Sequence, residues 1–212
     1  MKLGVIFDLD GTLLDSLEDL TDAVNAALEK NGYPKRTLAE MRCFVGNGAA
    51  HMLRCAVPVG EEIQPVMDAF LEWYGIHCQD KTRPYEGILS ALEELKKLYP
   101  VAVVSNKPDY AVKLICEAMF PGVHGVGERQ GIPRKPAPDM LVAAMKQIGV
   151  ESCVYVGDSE VDLNTARNAG VPCISVLWGF RTEAELREAG ATVFCTHPEE
   201  LKTAVERIIS VM

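Results

Sequence analysis

Residues 3–12, LGVIFDLDGT, decide the fold and point to the functional site. Residues 3–7 are an unbroken apolar run, which predicts a strand buried on both faces of a parallel sheet. Asp8 and Asp10 follow at once, and side chains two positions apart along a strand project to the same side. Two carboxylates buried together are unfavourable unless a cation or a proton exchange compensates. The stretch therefore favours a reactive acid pair over an ordinary Asp-Gly turn.

Strands and helices alternate from residue 84 onward, which predicts βα units on a parallel sheet, whereas the preceding region shows only helical spacing. We therefore expect an α/β fold: a Rossmann-like sheet in three α/β/α layers formed by residues 1–14 and 82–212, with an all-helical domain inserted at 15–81. Ser16 and Asp19 predict a capping box at the first helix. Further strands are predicted at 101–105, near 123, at 153–156 and at 173–176. Helices are predicted from 17 to a stop at Asn31-Gly32, at 49–56, 61–78, 88–98, 110–119, 139–148 and 161–169, and from about 198.

The composition narrows the classes of function. The chain has 212 residues, with 21 Lys and Arg against 30 Asp and Glu, so its net charge of −9 argues against nucleic acid or an anionic membrane as a partner. No apolar run approaches the roughly 18 residues that span a bilayer. Two early aspartates interrupt any secretory signal, so we expect a cytoplasmic protein with reduced cysteines. The seven cysteines and four histidines form no zinc pattern, so any metal should be oxygen-bound.

A second acidic group follows the predicted strand at residues 153–156. Asp158 lies directly after the strand, and Asp162 falls one turn into the next helix. The carboxyl ends of parallel strands meet at one edge of a sheet, where ligands bind. Together with Asp8, the acids Asp158 and Asp162 could therefore hold Mg²⁺, which prefers oxygen ligands. The alternative is that Asp158 or Ser159 caps the following helix, and the two roles can coexist.

Two further segments could bind an anion. Ser105 and Asn106 end a predicted strand, where a hydroxyl and backbone amides form an oxyanion or phosphate cradle, although Ser105 could simply cap a helix. Lys107 follows them and is predicted to be solvated rather than catalytic. Lys135 lies between Arg134 and a proline-rich turn that would aim its ammonium at one place, although an exposed loop charge is the simpler interpretation.

Taken in order, these motifs resemble those of the haloacid dehalogenase-like hydrolase superfamily. FDLDGTL, SNK, RKPAPD and GDSEVD stand where that family has its four motifs, so the resemblance covers essentially the whole chain. The helical insertion resembles the family's small α-helical cap. FVGNG at residues 44–48 and RPYEG at 83–87 are most similar to the phosphoglycolate phosphatase branch.

The resemblance implies a role for each acid. Asp8 would be the nucleophile that forms an aspartyl-phosphate, and Asp10 would protonate the leaving group and then activate water. Mg²⁺ would be bound by the Asp8 carboxylate, the Asp10 carbonyl and Asp158. Asp162 would support this site from behind.

The resemblance also implies the groups that hold the phosphate. Ser105, the Asn106 amide and Lys135 would bind the transferring oxygens. In the cap, the loop Gly46, Asn47 and Gly48 is a candidate for substrate contact, although its glycines could merely join two helices. Three residues behind that loop are further candidates: Arg42, His51 and Arg54.

The function expected from these features is Mg²⁺-dependent hydrolysis of a small phosphate monoester, with 2-phosphoglycolate as the preferred substrate. A sugar-phosphate mutase or a pyrophosphatase would use the same chemistry. A phospho-accepting signalling module is disfavoured because its phosphorylated Asp follows a middle strand, and a scaffold without activity is disfavoured because every motif position is chemically competent. The expected partner is a small phosphorylated metabolite, and the pattern does not distinguish a monomer from a homodimer.

Overall fold

The computed structural model describes residues 2–211, and its centre is a parallel sheet of six strands in the order β5-β4-β1-β6-β7-β8. Two short strands, β2 and β3, pair with each other. The predicted α/β class is confirmed. The strands are β1 Leu3–Phe7, β2 Leu14–Asp15, β3 Arg83–Pro84, β4 Val101–Pro108, β5 His124–Glu128, β6 Ser152–Gly157, β7 Cys173–Val176 and β8 Phe194–Cys195.

The chain divides into two compact units. The first comprises Met1–Leu14 and Pro84–Met212, and the second is the continuous segment Asp15–Arg83. All helices of the second unit precede β3, so the insertion is helical as the sequence predicts. The helices are α1 Leu17–Lys30, α2 Leu38–Phe44, α3 Ala49–Ala56, α4 Gln64–His77, α5 Ile88–Lys96, α6 Asp109–Met119, α7 Asp139–Ile148, α8 Glu160–Ala169, α9 Glu183–Glu188 and α10 Leu201–Ile209, with a 3-10 turn at Pro198–Glu200.

Strand β1 lies at the centre of the large sheet because its apolar residues are buried on both faces. Val5 is in register with Val101 of β4 on one side and with Val154 of β6 on the other. The chain adds β4 and β5 on one side of β1 and then returns to add β6, β7 and β8 on the other. Such a reversal opens a crevice at the carboxyl ends of the central strands, where parallel sheets bind their ligands.

Alternate residues of the central strands enter two apolar clusters on opposite faces of the sheet. Val5 and Phe7 belong to one cluster, and Ile6 and Tyr155 belong to the other. Helices α5, α6 and α10 contribute residues to the first cluster, and α7 and α8 contribute residues to the second. This three-layer packing fixes the strands and hence the loops that leave their carboxyl ends.

The predicted capping box of α1 is wrong. Ser16 occupies the N-cap position, but its side chain makes no capping hydrogen bond. The buried Asp19 carboxylate instead accepts hydrogen bonds from the backbone N–H groups of Lys81 and Thr82, at 3.0 and 2.8 Å. It therefore joins α1 to the segment that precedes β3.

Between residues 2 and 211, no helix combines the length and apolarity needed to span a bilayer.

Candidate active site

Asp8 and Asp10 leave β1 at the crevice and contact different lysines. The backbone N–H of Asp8 donates to the Val156 carbonyl at 2.8 Å, which continues the pairing of β1 with β6. The Asp8 carboxylate contacts the Lys135 ammonium at 2.8 Å, whereas that of Asp10 contacts Lys107 at the same distance. Each member of the acid pair is therefore held by its own cation.

Three buried carboxylates come together at this edge of the sheet. One oxygen each from Asp8, Asp158 and Asp162 lies within 4.8 Å of the others. Asp158 accepts a hydrogen bond from the Thr12 hydroxyl at 3.3 Å and one from the Phe180 backbone N–H at 2.7 Å. These contacts fix the Asp158 carboxylate beside Asp8, as the motif spacing predicts.

Asp162 is occupied by protein partners. One of its oxygens contacts the Lys135 ammonium at 2.8 Å and the Tyr155 hydroxyl at 3.1 Å. The other accepts hydrogen bonds from the Ser159 hydroxyl at 2.7 Å and from the Ser159 backbone N–H at 3.1 Å. This pattern suits a residue that orients the lysine and begins α8 better than it suits a metal ligand.

Lys135 is positioned by its backbone as well as by its charge. The Asn106 side-chain amide donates to the Lys135 carbonyl at 3.1 Å and accepts from the Lys135 backbone N–H at 2.9 Å. This reciprocal pair fixes the proline-rich loop, which contains a cis Lys135–Pro136 bond, to the end of β4. The alternative that Lys135 is an exposed loop charge is excluded, because its side chain is almost fully buried.

Burial and mutual repulsion shift the ionisation of these acids. Burial, followed by repulsion from Asp162, raises the pKa of Asp8 well above its usual range, although the Lys135 ammonium opposes the shift. The same two causes raise the pKa of Asp158 to about 7. Burial alone would lower the pKa of Lys135, but the carboxylates of Asp162 and Asp8 raise it, so this lysine stays charged.

The charge of this cluster suits a hard divalent cation. One ammonium faces three buried carboxylates, so the cluster carries excess negative charge when its acids are ionised. Burial, and after it this excess of negative charge, raises the pKa values of Asp8 and Asp158. Carboxylate oxygens are the ligands that Mg²⁺ favours, and the residues present therefore fit such an ion.

Strand β4 continues to Pro108, so Ser105 and Asn106 lie in its second half rather than after its end, and Asn106 contacts the backbone of Lys135. Ser105 is buried, and its hydroxyl accepts a hydrogen bond from the Lys107 backbone N–H at 3.2 Å. The strand register is irregular between Val104 and Pro108, so the chain bends where these residues occur. Their proposed contact with phosphate remains a prediction.

The prediction that Lys107 is solvated is wrong. Its side chain is buried, and its Nζ lies 2.8 Å from each carboxylate oxygen of Asp10. Nothing in the sequence near Lys107 indicates this contact, because the two residues are separated by 97 positions.

The loop Gly46-Asn47-Gly48 joins α2 to α3 in the second unit. Gly46 and Gly48 have positive φ values of 120° and 79°, so a tight turn there requires glycine. Nearby, Arg42 and Arg54 are exposed, and a His51 ring nitrogen lies 3.5 Å from the Cys55 sulfur. The role of these residues in substrate contact also remains a prediction.

Sequence reasoning missed two groups at the site. Tyr155 resembles a core residue of an apolar strand, yet its hydroxyl lies between Lys135 and Asp162. The loop after β7 places the Phe180 amide on Asp158, while the Trp178 indole donates to the Thr12 carbonyl at 2.9 Å. The position of Trp178, Gly179 and Phe180 directly after a parallel strand was the available signal for this loop.

Comparisons with known proteins agree with this architecture. The family model described as haloacid dehalogenase-like hydrolase matches residues 5–176. A phosphoglycolate phosphatase of Xanthomonas campestris pv. campestris (strain 8004) is 37% identical over 191 residues, which cover 84% of this chain and 84% of that protein. The N-acetylmuramic acid 6-phosphate phosphatase of Pseudomonas aeruginosa is 30% identical over 221 residues, covering 97% and 96%.

A solved structure shows the same fold. It is a protein of Lactobacillus delbrueckii subsp. bulgaricus, provisionally described as a phosphoglycolate phosphatase. It has 38% sequence identity and a TM-score of 0.89, covering 95% of this chain and 97% of its own. Since the family model and these relatives match most of the sequence, this chain belongs to the haloacid dehalogenase-like hydrolase family.

Proposed function

We propose that this hydrolase is a Mg²⁺-dependent phosphatase that cleaves a small phosphate monoester through an aspartyl-phosphate, with 2-phosphoglycolate as its preferred substrate. The observation that carries the proposal is the buried group of three carboxylates and one ammonium, formed by Asp8, Asp158, Asp162 and Lys135. A dianionic phosphate can approach a carboxylate nucleophile only where positive charge offsets their repulsion.

The first chemical step forms a bond between Asp8 and phosphorus. A carboxylate oxygen of Asp8 attacks the phosphorus in line, and the bond from phosphorus to the ester oxygen breaks. Asp10 gives its proton to the departing oxygen, so the alcohol leaves uncharged. Lys135 lies 2.8 Å from Asp8 and is therefore placed to stabilise negative charge on the transferring group.

The second step restores the enzyme. The Asp10 carboxylate takes a proton from a water molecule, whose oxygen attacks phosphorus and releases inorganic phosphate from Asp8. Asp8, the Asp10 carbonyl and Asp158 would hold Mg²⁺, with Asp162 keeping Lys135 in place. When bound, the ion supplies positive charge that favours the ionised acids and shields the phosphate oxygens. Ser105 and the Asn106 amide are assigned to the remaining phosphate oxygens.

The names of the relatives support a substrate class. Phosphoglycolate phosphatases match at 37% identity, which favours 2-phosphoglycolate. A second candidate is N-acetylmuramic acid 6-phosphate, because a phosphatase of that name matches at 30% identity over nearly the whole of both chains. Both are phosphate monoesters of small carboxylic acids, so the residues that select between them lie beyond the shared reaction centre.

Phosphate release from a panel of metabolites tests the proposal. With Mg²⁺ present, 2-phosphoglycolate should give the highest kcat/KM among that compound, N-acetylmuramic acid 6-phosphate, a sugar 1-phosphate, pyrophosphate and p-nitrophenyl phosphate. Removing the metal with EDTA should abolish turnover, and added Mg²⁺ should restore it. Conversion of a sugar 1-phosphate to its 6-phosphate without net phosphate release would instead identify a mutase.

The variant Asp8→Asn separates the proposed chemistry from contaminating activity. It removes the nucleophile but keeps the size of the side chain, so kcat should fall about 10³-fold or more. Asp68→Asn is the matched control, because Asp68 is exposed on α4 and should leave kcat unchanged. Undiminished Mg²⁺-dependent turnover by Asp8→Asn would overturn the assignment.

A further inference from the structure

Lys107 is a buried cation that contacts Asp10, the acid–base residue of the proposed reaction. Its Nζ lies 2.8 Å from both oxygens of the Asp10 carboxylate. The Lys107 side chain is 3% exposed, and its backbone N–H donates to the Ser105 hydroxyl at 3.2 Å. Lys107 therefore connects the end of β4 to the loop that follows β1.

Contact with both oxygens restricts the Asp10 side chain more strongly than a single hydrogen bond would. Rotation of the carboxylate about its terminal bond moves at least one oxygen away from the ammonium. Asp10 is also the most exposed acid of the site, at 14% against 9% for Asp8 and 1% for Asp162. It is therefore the acid for which an added restraint matters most.

Stability alone is a weak reason for such a contact. Burying an ammonium carries a large desolvation penalty, and a buried ion pair is often no more stabilising than an apolar pair of the same volume. Two buried lysines also divide the acids between them, since Lys135 contacts Asp8 whereas Lys107 contacts Asp10. The nucleophile and its acid–base partner are thus each held by a separate cation.

We propose that Lys107 is a positioning residue, which holds the Asp10 carboxylate where it exchanges a proton with the leaving group and with water. The inference rests on the proposed function, because it takes the acid–base role of Asp10 from there. Lys107 acts through Asp10 rather than on the transferring phosphate. Its loss should therefore affect substrates according to how much their leaving groups need a proton.

The test compares two leaving groups in the holoenzyme with Mg²⁺. p-Nitrophenolate departs with little protonation, whereas an alkoxide needs a proton from Asp10. For Lys107→Met, kcat/KM should fall about 10²-fold on the alkyl phosphate that the wild type hydrolyses best. It should fall less than about 10-fold on p-nitrophenyl phosphate. Lys107→Gln, which keeps a hydrogen-bond donor, should show the same ordering with a smaller loss.

A double-mutant cycle shows whether Lys107 acts through Asp10. Asp10→Asn alone should give the same dependence on leaving group, and adding Lys107→Met to it should cause little further loss. Lys113→Met is the matched control, because Lys113 pairs with Asp109 at the surface and is 57% exposed. This control should leave both rates unchanged.

Each alternative outcome has a distinct meaning. Equal losses on both substrates that add to those of Asp10→Asn would overturn the positioning role of Lys107. Failure of both Lys107 variants to unfold cooperatively would also reject it in favour of a purely structural role. If Asp10→Asn itself shows no dependence on leaving group, the proposed reaction fails at Asp10, and this result is independent of Lys107.

Discussion

At the scale of single residues, the site is a problem of charge balance. Lys135 is the buried cation that contacts both Asp8 and Asp162, and these acids lie close to Asp158. These buried carboxylates are tolerated in the interior only while a cation compensates the negative charge of the group. Removing one charge should therefore change the behaviour of all the remaining ones.

Lys135→Met should destabilise the metal-free protein in a pH-dependent manner. Breaking a buried ion pair costs about 3–5 kcal/mol, so the free energy of unfolding should fall by that amount at pH 7.5. The loss of unfolding free energy should be smaller at pH 5. The raised pKa of Asp8 allows this acid to take up a proton there, which relieves its repulsion from the neighbouring carboxylates. Urea unfolding in EDTA measures both values. Lys113→Met, which removes an exposed charge, should cost less than about 1 kcal/mol.

The raised pKa of Asp158 predicts how pH governs metal binding. Burial, with Asp162 nearby, raises this pKa to about 7, so between about pH 4 and pH 7 the metal-free folded state keeps a proton that the unfolded state releases. The contribution of Asp158 to stability therefore falls as pH rises through that window. Because Mg²⁺ requires the ionised carboxylate, a fixed Mg²⁺ concentration should raise Tm more at pH 8 than at pH 5.5. An equal shift at both values, or any comparable shift in Asp158→Asn, would contradict the assignment of Asp158 as a ligand.

The residues of the site were predictable to different degrees. Asp8, Asp158 and Lys135 each belong to a short sequence motif that predicts a position near the carboxyl edge of the sheet. The structure brings the three residues together. Lys107 was misjudged because its partner lies 97 positions away, and no local pattern encodes a contact of that separation. Tyr155 was missed because a tyrosine in an apolar strand has the same sequence pattern whether or not its hydroxyl serves a neighbouring lysine.

At the scale of secondary-structure elements, the loop between β7 and α9 supports the acids through its backbone. The Phe180 N–H donates to Asp158 at 2.7 Å, so the loop must pass close to that side chain. A Cβ atom at Gly179 would collide with the Asp158 side chain and with the Gly11 carbonyl. Glycine at position 179 is therefore a requirement of this close approach.

Gly179→Ala should weaken Mg²⁺ binding while leaving the fold intact. The added methyl group must displace either the loop or Asp158, and disturbing the support of a metal ligand typically reduces affinity about 10- to 100-fold. The Mg²⁺ concentration that gives the half-maximal Tm shift measures this change. Gly75→Ala is the control, since nothing lies within 4 Å of a Cβ there, and it should stabilise α4 by about 0.8 kcal/mol. Unchanged Mg²⁺ affinity in Gly179→Ala would show that the loop does not orient Asp158.

Helices and strands were predicted where the apolar pattern lay within one segment and extended over several residues. The bounds of α3 and α7 agree with apolar spacing along their own sequences. Strands β2, β3 and β8 have two residues each, which is too short for any periodicity. The capping box at Ser16 failed because Asp19 bonds to amides 62 and 63 positions later, a tertiary contact that outcompetes the local one.

At the scale of the whole molecule, the first unit, which contains the six-stranded sheet, is assembled from two separate stretches of chain. Its central strand β1 comes from the first stretch, and β4 and β6 on either side come from the second. Both apolar clusters of the sheet are composed of residues from this unit alone. The Tyr85 N–H donates to the Leu13 carbonyl at 3.1 Å, so the two stretches are adjacent where the insertion begins and ends.

We therefore expect the first unit to fold without the insertion. A variant in which residues 15–83 are replaced by a four-residue Gly-Ser linker should unfold cooperatively, because its ends already lie together and closing so short a loop costs little entropy. It should also retain a Mg²⁺-dependent rise in Tm, since Asp8 and Asp158 both belong to this unit. Differential scanning calorimetry with and without Mg²⁺ provides both readouts, and the same variant with Asp158→Asn is the control. A broad, non-cooperative transition would mean that the helical insertion contributes to the stability of the sheet. A cooperative transition that Mg²⁺ does not shift would contradict the expectation that Asp8 and Asp158 bind the ion without the insertion.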